Sequence, residues 1–197
     1  MILVNGRPLV KHALRHARRD WEVDRMIMVV SPENIRMIKS VVNEDHGPLN
    51  WVVQVDPKGV VDAINCAMPY VTGSMTLILC ADNTFELNSW PVSELHRRVH
   101  ERIPTIATRL LDHKAAKRFT RIVQTEEGIQ LFNSSDPVDS ECCWIGPLLL
   151  ETNEVHYSLN RKPGNVVEFI RYATCDGETL DTLPMKCEDH GVPDELP

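Results

Sequence analysis

Met75-Thr76-Leu77-Ile78-Leu79-Cys80-Ala81-Asp82-Asn83 is a mostly apolar run followed by a carboxylate, Asp82, and an amide, Asn83. A run of this kind is typical of a strand that is buried on both faces, as in a parallel sheet. Directly after such a strand Asp82 is poorly placed for simple solvation, and hard cations favour carboxylate oxygens as ligands. Asp82 is therefore a candidate metal ligand, and the alternative interpretation is an ordinary turn or helix-cap aspartate.

Segments of strand and helix character alternate on both sides of this run. In the first half, strands are predicted at 25–30, 51–55, 75–80 and 104–108, and helices at 8–19, 31–42, 60–68 and 89–99. This alternation predicts an α/β fold with a doubly wound, mostly parallel sheet. The second half is less regular, with predicted strands at 119–124, 128–132, 144–151 and 182–187 and a helix at 165–172. Because no repeat or linker interrupts the chain, residues 1–197 are predicted to form a single domain.

The composition is that of an ordinary globular domain, with 43% hydrophobic and 25% charged residues. The net charge of −7 excludes a general nucleic-acid-binding protein, since such proteins need a basic face. No apolar run approaches the roughly 20 residues that span a bilayer, and no signal peptide is recognised. The cysteines form no Cys-x-x-Cys pair, which argues against zinc and indicates a reduced, cytoplasmic setting.

Two basic features of the first predicted helix are interpreted as solvated surface. His12 and His16 are four residues apart, a spacing that could hold a metal, but a polar helix face is the simpler explanation. The neighbouring cluster of Arg15, Arg18 and Arg19 is interpreted in the same way.

Further candidate residues follow other predicted strands, where ligands bind in open parallel sheets. The amide of Gln54 offers a donor and an acceptor to the edge of a nucleobase. Gly59, in the next turn, would let a planar base approach the backbone because it has no Cβ. Asp189 is a second carboxylate after a predicted strand, and Mg²⁺ usually takes one or two protein carboxylates plus substrate phosphates. The alternative for each residue is an ordinary strand end or turn.

Five segments form a pattern that extends over nearly the whole chain. They are Val4-Asn5-Gly6-Arg7-Pro8-Leu9, Val53-Gln54-Val55-Asp56-Pro57-Lys58-Gly59, Leu77-Ile78-Leu79-Cys80-Ala81-Asp82-Asn83, Arg118-Phe119-Thr120-Arg121-Ile122 and Asp189-His190-Gly191-Val192-Pro193. In their order and approximate spacing, these segments resemble the sugar-1-phosphate nucleotidylyltransferases, also called NDP-sugar pyrophosphorylases.

The resemblance implies a nucleotide-binding, Rossmann-like α/β fold with one face open to substrate. Its first half, 1–110, would hold nucleotide and metal, and its second half, 111–197, would hold the substrate and a second metal ligand. In such enzymes a sugar phosphate attacks the α-phosphorus of a nucleoside triphosphate, and pyrophosphate leaves. A nucleoside triphosphate and a phosphorylated small-molecule acceptor are therefore the expected partners.

The resemblance also implies a role for each candidate residue. Gln54 and Gly59 would contact the nucleobase, and Asn83 would belong to the same nucleotide site. Asp82 and Asp189 would be the catalytic carboxylates and the ligands of Mg²⁺. The metal would neutralise charge and orient the reacting groups.

The chain departs from the family pattern on the phosphate side. The family's glycine-rich loop, with its arginine and lysine, would lie before Met1. In the family, its backbone amides and basic side chains hold the phosphates. The nearest basic substitutes within this chain are Lys58, Arg7 and Arg121.

The chain departs from the family pattern on the acceptor side as well. Phe119-Thr120-Arg121-Ile122 replaces the family's Tyr-Gly-Val-Val, and Ser135-Asp136-Pro137 replaces Glu-Lys-Pro. Trp144-Ile145-Gly146-Pro147-Leu148 replaces Asn-Ala-Gly-Ile-Tyr and keeps the glycine.

Three hypotheses are consistent with these departures. On the first hypothesis, the chain is an active nucleotidyltransferase with an unusual acceptor, and its phosphate loop is replaced by other residues or supplied by a partner subunit or a second copy. Alternatively, it is a catalytically impaired nucleotide-binding or assembly protein on the same fold, or an N-terminally truncated enzyme. A glycosyltransferase would normally show an Asp-x-Asp motif, whereas this chain has Asp82-Asn83-Thr84. The sequence leaves the nucleobase, the acceptor, the oligomeric state and the pathway open.

Overall fold

The computed structural model describes residues 2–42, 47–85, 90–177 and 179–189, with 187–189 described by their backbone. The predicted segment His190-Gly191-Val192-Pro193 lies outside the described residues. In the described residues the strands are β1 (Leu3–Val4), β2 (Arg7–Pro8), β3 (Met26–Val30), β4 (Leu49–Val53), β5 (Met75–Ile78), β6 (Asn83–Phe85), β7 (Thr105–Leu110), β8 (Arg121–Thr125), β9 (Gly128–Phe132), β10 (Cys142–Glu151), β11 (Asp181–Pro184) and β12 (Cys187–Asp189).

The helices follow the strands in the alternating order that the sequence predicts for the first half. They are α1 (Leu9–Arg15), α2 (Ile35–Val41), α3 (Val60–Ala67), α4 (Val92–Glu101), α5 (His113–Ala116), α6 (Thr152–Asn160) and α7 (Val166–Ala173). Helix α1 continues into a π-helical turn at His16–Asp20. In the described residues no helix is long and apolar enough to cross a membrane.

The central sheet mixes parallel and antiparallel pairs around β10. Strands β5 and β7 both pair antiparallel with β10, so they run parallel to each other, and β11 joins β7 in parallel. Strands β8 and β9 form a hairpin attached to β10, and β3 pairs in parallel with β4 as a separate two-stranded sheet. The predicted α/β class is confirmed, with β10 as an antiparallel strand between parallel ones.

A short antiparallel ladder joins the third and the last segments of the resemblance pattern. Strand β12 pairs with β6, and the register sets Asp189 opposite Asn83 and Cys187 opposite Phe85. The backbone of 187–189 therefore lies beside the residues that follow β5.

One large apolar core connects the two halves of the chain. Ile64 and Met68 from the α3 region pack in the same cluster as Leu148 of β10 and Phe169 and Ile170 of α7. All of these side chains are at least nine-tenths buried. Asn165 is the N-cap of α7, and its side chain accepts a hydrogen bond from the Glu168 N–H at 3.0 Å, which fixes the start of the helix.

Candidate functional site

A cavity of about 200 Å³ opens near the end of β5. Its lining comes from three distant segments of the chain: Cys80, Asp82 and Asn83; Arg118, Phe119 and Thr120; and Trp144, Ile145 and Gly146. These segments are those that the sequence resemblance singled out around the metal ligand and the acceptor. The fold therefore brings the predicted metal-side and acceptor-side segments to one place.

Asp82 lies in the tight turn between β5 and β6. The Asn83 N–H donates to the Cys80 carbonyl at 3.4 Å across this turn. Asp82 is half-buried and lines the cavity, whereas the neighbouring Asn83 is almost fully buried. The turn thus presents the carboxylate at the cavity while its neighbour anchors the segment.

The backbone of Asp189 lies next to this turn. Its ladder partner is Asn83, and directly opposed residues of an antiparallel ladder lie about 4.5–5.5 Å apart between Cα atoms. Mg²⁺ needs few protein carboxylates because it retains water and binds substrate phosphates, so two carboxylates of the kind that Asp82 and Asp189 would supply suit this ion. Among the side chains that the structure describes, no cluster of three or more His, Cys, Asp or Glu residues could hold a metal on its own.

Gln54 follows β4 and is 8% exposed. Its backbone N–H donates to the Val30 carbonyl at 2.9 Å, which extends the pairing of β3 and β4. Its side-chain Nε2 donates to the Asp62 Oδ2 at 2.7 Å and to the Gly59 carbonyl at 3.2 Å. Asp62, in the first turn of α3, is a partner that the sequence analysis did not identify. The amide is therefore held in a fixed orientation against the start of α3.

Gly59 lies next to the Gln54 amide and has open space around its Cα. Its φ is +100°, a left-handed conformation that favours glycine, and no atom lies within 4 Å of where a Cβ would stand. A planar group could therefore approach this backbone. The neighbouring Lys58 is exposed and pairs with Asp56, its Nζ lying 3.1 Å from Oδ2.

Arg121 is not a substitute for the family's phosphate-binding side chains, and that part of the sequence hypothesis is wrong. The residue is 3% exposed. Its guanidinium donates to the backbone carbonyls of Asn133, Ser134, Asp136 and Val138. Arg121 therefore fixes the loop after β9, and its guanidinium stabilises the fold through these hydrogen bonds.

The far wall of the cavity is shaped by an irregularity in β10. The register with β7 shifts between Trp144 and Leu148, and Gly146 there has a φ of +103°. The Trp144 Nε1–H donates to the Gly146 carbonyl at 3.1 Å, which fixes the plane of the indole. A bulge of this kind re-aims side chains, here those that border the cavity.

The first helix is less polar than the sequence analysis predicted. His16 is 2% exposed, so its interpretation as part of a solvated helix face is wrong. Arg18 is also only half-exposed, because its guanidinium donates to the carbonyls of Val23 and Asp24. Arg19 is exposed as predicted.

The buried cysteines near the cavity are poorly suited to nucleophilic chemistry. Burial raises the pKa of the Cys143 thiol to about 11 and also raises the pKa of Cys142. A thiol with a raised pKa stays protonated at neutral pH and is a weak nucleophile.

Solved structures with the same fold include sugar-1-phosphate nucleotidyltransferases. A Bacillus anthracis protein assigned as a glucose-1-phosphate thymidylyltransferase, in complex with sucrose, matches with a TM-score of 0.84 and 15% identity over 98% of this chain and 80% of that one. The UTP-bound UDP-glucose pyrophosphorylase of Acinetobacter baumannii matches with a TM-score of 0.77 and 16% identity over 98% and 81%. The fold that the resemblance implied is confirmed. Comparison with protein-family models and with curated protein sequences finds no match.

Proposed function

We propose that this protein is a Mg²⁺-dependent nucleotidyltransferase. It transfers a nucleoside monophosphate from a nucleoside triphosphate to a sugar phosphate or a related phosphorylated acceptor and releases pyrophosphate. The observation that supports this proposal is the pairing of the Asp189 backbone with Asn83, the residue that follows Asp82, which lines the cavity. Solved proteins with this fold include one bound to UTP, which supports a nucleoside triphosphate as the donor.

The nucleobase would lie against Gln54 and Gly59. Both N–H groups of the Gln54 amide are used by Asp62 and Gly59, so Oε1 remains as an acceptor for an N–H of the base. The open space at Gly59 gives the ring room to approach the backbone. Asn83, anchored beside Asp82, would complete the nucleotide site.

Asp82 and Asp189 would hold Mg²⁺, which supplies charge neutralisation to the phosphates when bound. The acceptor's phosphate oxygen attacks the α-phosphorus, and the bond from that phosphorus to the bridging oxygen breaks as pyrophosphate leaves. The acceptor would occupy the cavity between Phe119 and Trp144, with the exposed cation Arg118 beside it to attract the acceptor's phosphate.

A second candidate function is nucleotide binding without turnover. This alternative is favoured because two basic side chains that could replace the phosphate loop already have partners. Arg121 donates to backbone carbonyls, and Lys58 pairs with Asp56. On this alternative the protein binds a nucleotide but needs a partner subunit or a second copy to complete the phosphate site.

The test is a pyrophosphate-release assay with Mg²⁺, each nucleoside triphosphate and a panel of sugar phosphates. Wild-type protein should release pyrophosphate with one nucleotide and acceptor pair, and Asp82→Asn and Asp189→Asn should each reduce the rate by about 100-fold or more. Asp139→Asn is the matched control, because Asp139 is 88% exposed and pairs with His113 rather than lining the cavity.

Each outcome of this assay selects one function. Release that depends on Asp82 and Asp189, but not on Asp139, supports the transferase. Nucleotide binding by calorimetry without release supports the second candidate. Neither binding nor release with any nucleotide contradicts both.

A further inference from the structure

Four aromatic side chains pack together on the side of β6 that faces α1. They are His16, Trp21, Phe85 and Trp90, and we call them the aromatic clamp. The rings of His16 and Phe85 meet edge to face at 5.4 Å, and those of Trp21 and Phe85 lie 5.2 Å apart. Trp21 and Trp90 meet edge to face at 5.8 Å. All four side chains are at least nine-tenths buried, so the cluster belongs to the packed interior of the protein.

The clamp depends on the π-helical turn at the end of α1. The Trp21 N–H donates to the His16 carbonyl at 2.9 Å, which closes a wider turn than an α-helix would. This turn places the His16 Nδ1 2.5 Å from the Asp20 Oδ2. Wide turns of this type are costly in a helix and occur frequently at functional sites. The turn thus fixes the imidazole in one orientation against Phe85.

The clamp holds the chain after Asp82 at two points. Phe85 is the last residue of β6, and its ring lies against His16 and Trp21. Further along the chain, the Trp90 carbonyl accepts a hydrogen bond from the Trp21 Nε1–H at 3.1 Å. Both anchors come from the turn that ends α1, so this helix sets the position of the segment.

Strand β6 needs such support because its own ladder is short. It spans Asn83–Phe85 and pairs with the equally short β12. A two-stranded ladder of this length is marginal on its own, so packing must fix its position. A displaced β6 would carry Asp82 and the backbone opposite Asp189 with it.

We infer that the aromatic clamp positions the Asp82 segment, with His16 and Trp21 acting as positioning residues for the metal-binding carboxylate. The part of this inference that concerns the metal rests on the proposed function. The part that concerns the position of the Asp82 segment rests on the packing alone. Changes to groups that orient metal ligands typically lower metal affinity by about 10–100-fold.

The experiment compares His16→Ala with the matched control Val155→Ala. Val155 is fully buried on α6 in the other large core cluster, so its truncation destabilises the fold without touching the clamp. Two readouts are measured: amide hydrogen exchange at 83–85, and the affinity for Mn²⁺, used as a spin-active substitute for Mg²⁺, by electron paramagnetic resonance. Trp21→Phe is a milder second variant, because it keeps a ring in the cluster and removes the N–H that holds Trp90.

The inference predicts faster exchange at 83–85 and about tenfold weaker Mn²⁺ binding in His16→Ala and Trp21→Phe, with both unchanged in Val155→Ala. Unchanged exchange at 83–85 in both clamp variants would overturn it, as would an equal loss of Mn²⁺ affinity in Val155→Ala. If the wild-type protein binds no Mn²⁺, the proposed metal site fails. The exchange readout needs no metal, so it still decides whether the clamp holds the segment.

Discussion

Gln54 shows how a single side chain can be prepared for a ligand before the ligand arrives. Its two partners, the Asp62 carboxylate and the Gly59 carbonyl, are both acceptors, so the amide nitrogen must face them. The orientation of the amide is therefore fixed by the chemistry of its neighbours. The sequence identified Gln54 and Gly59, but not Asp62, because an acidic residue in the first turn of a helix is ordinary on its own.

Gly59 gives the sharpest residue-scale test of the nucleobase position. Gly59→Ala should weaken nucleotide binding about tenfold or more, because a methyl group would fill the space that the base approaches. Gly6→Ala is the matched control, since Gly6 also has a positive φ, +74°, and open space where a Cβ would stand. Nucleotide affinity by isothermal calorimetry checks the prediction, and an equal effect of the two substitutions would contradict it.

His16 predicts a specific dependence of stability on pH. Burial lowers its pKa below the ordinary value of 6.5, although Asp20 acts in the opposite direction. The unfolded chain then binds the proton more tightly than the folded chain, so the free energy of unfolding should fall as the pH drops below about 6.5. His16→Phe should make this dependence shallower, as measured by urea unfolding across that range. The same slope in both proteins would count against a neutral, buried His16.

At the scale of elements, one buried guanidinium ties α4 to the parallel pair β7 and β11. Arg98 is 5% exposed and donates through Nη1 to Thr105 at 2.8 Å and to Asp181 at 2.7 Å. Its Nε donates to Glu94 at 2.7 Å. Hydrogen bonds from Arg97 and Arg98 lower the pKa of Glu94 to about 2, so this carboxylate stays charged at neutral pH.

Arg98→Met should therefore lower the free energy of unfolding by about 1–3 kcal/mol, because Thr105 and Asp181 lose their shared donor. Asp181 is half-exposed, which keeps the expected effect at the lower end of values for buried pairs. Arg97→Met removes an exposed cation from the same helix and should lower the free energy of unfolding by much less, because solvent screens its ion pairs. Chemical denaturation of the two variants compares them directly, and equal losses would show that burial of Arg98 is unimportant.

The elements themselves were predictable where apolar periodicity is strong. Strands β3, β5 and β9 and helices α3 and α7 lie within two residues of their predicted bounds. Helix α2 begins at Ile35 rather than Ser31, because the Ser31 carbonyl accepts bonds from the N–H groups of Asn34 and Ile35 in a preceding turn. Helix α6 was missed, since Val155 and Leu159 are its main apolar residues. The π-helical turn has no local signal, because tertiary packing of His16 stabilises it.

At the scale of the molecule, the fold brings together segments that are remote in sequence. The resemblance predicted correctly that the chain has a nucleotidyltransferase fold. It could not predict the cavity's wall, because Trp144 and Gly146 take their positions from a register shift in β10. It also could not predict that Arg121 binds the carbonyls of a loop, since the burial of Arg121 depends on the packing of the whole second half.

The shared core leads us to propose that the two halves fold as one domain. Ile64 and Met68 from the first half pack in the same cluster as residues of α7, so neither half has a complete core alone. Urea unfolding followed by far-ultraviolet circular dichroism and by tryptophan fluorescence should give coincident single transitions. Two separated transitions would indicate that the halves are independent units.

The central claim is that Asp82 and Asp189 serve nucleotidyl transfer at the end of β5. The most direct measurement follows the α-phosphorus: the protein is incubated with Mg²⁺, an α-labelled nucleoside triphosphate and glucose 1-phosphate or another phosphorylated acceptor. The label should appear in a nucleotide–acceptor conjugate together with an equal amount of pyrophosphate, and Asp82→Asn should abolish both. Label that stays in intact triphosphate with every acceptor, or transfer that survives Asp82→Asn, would contradict it.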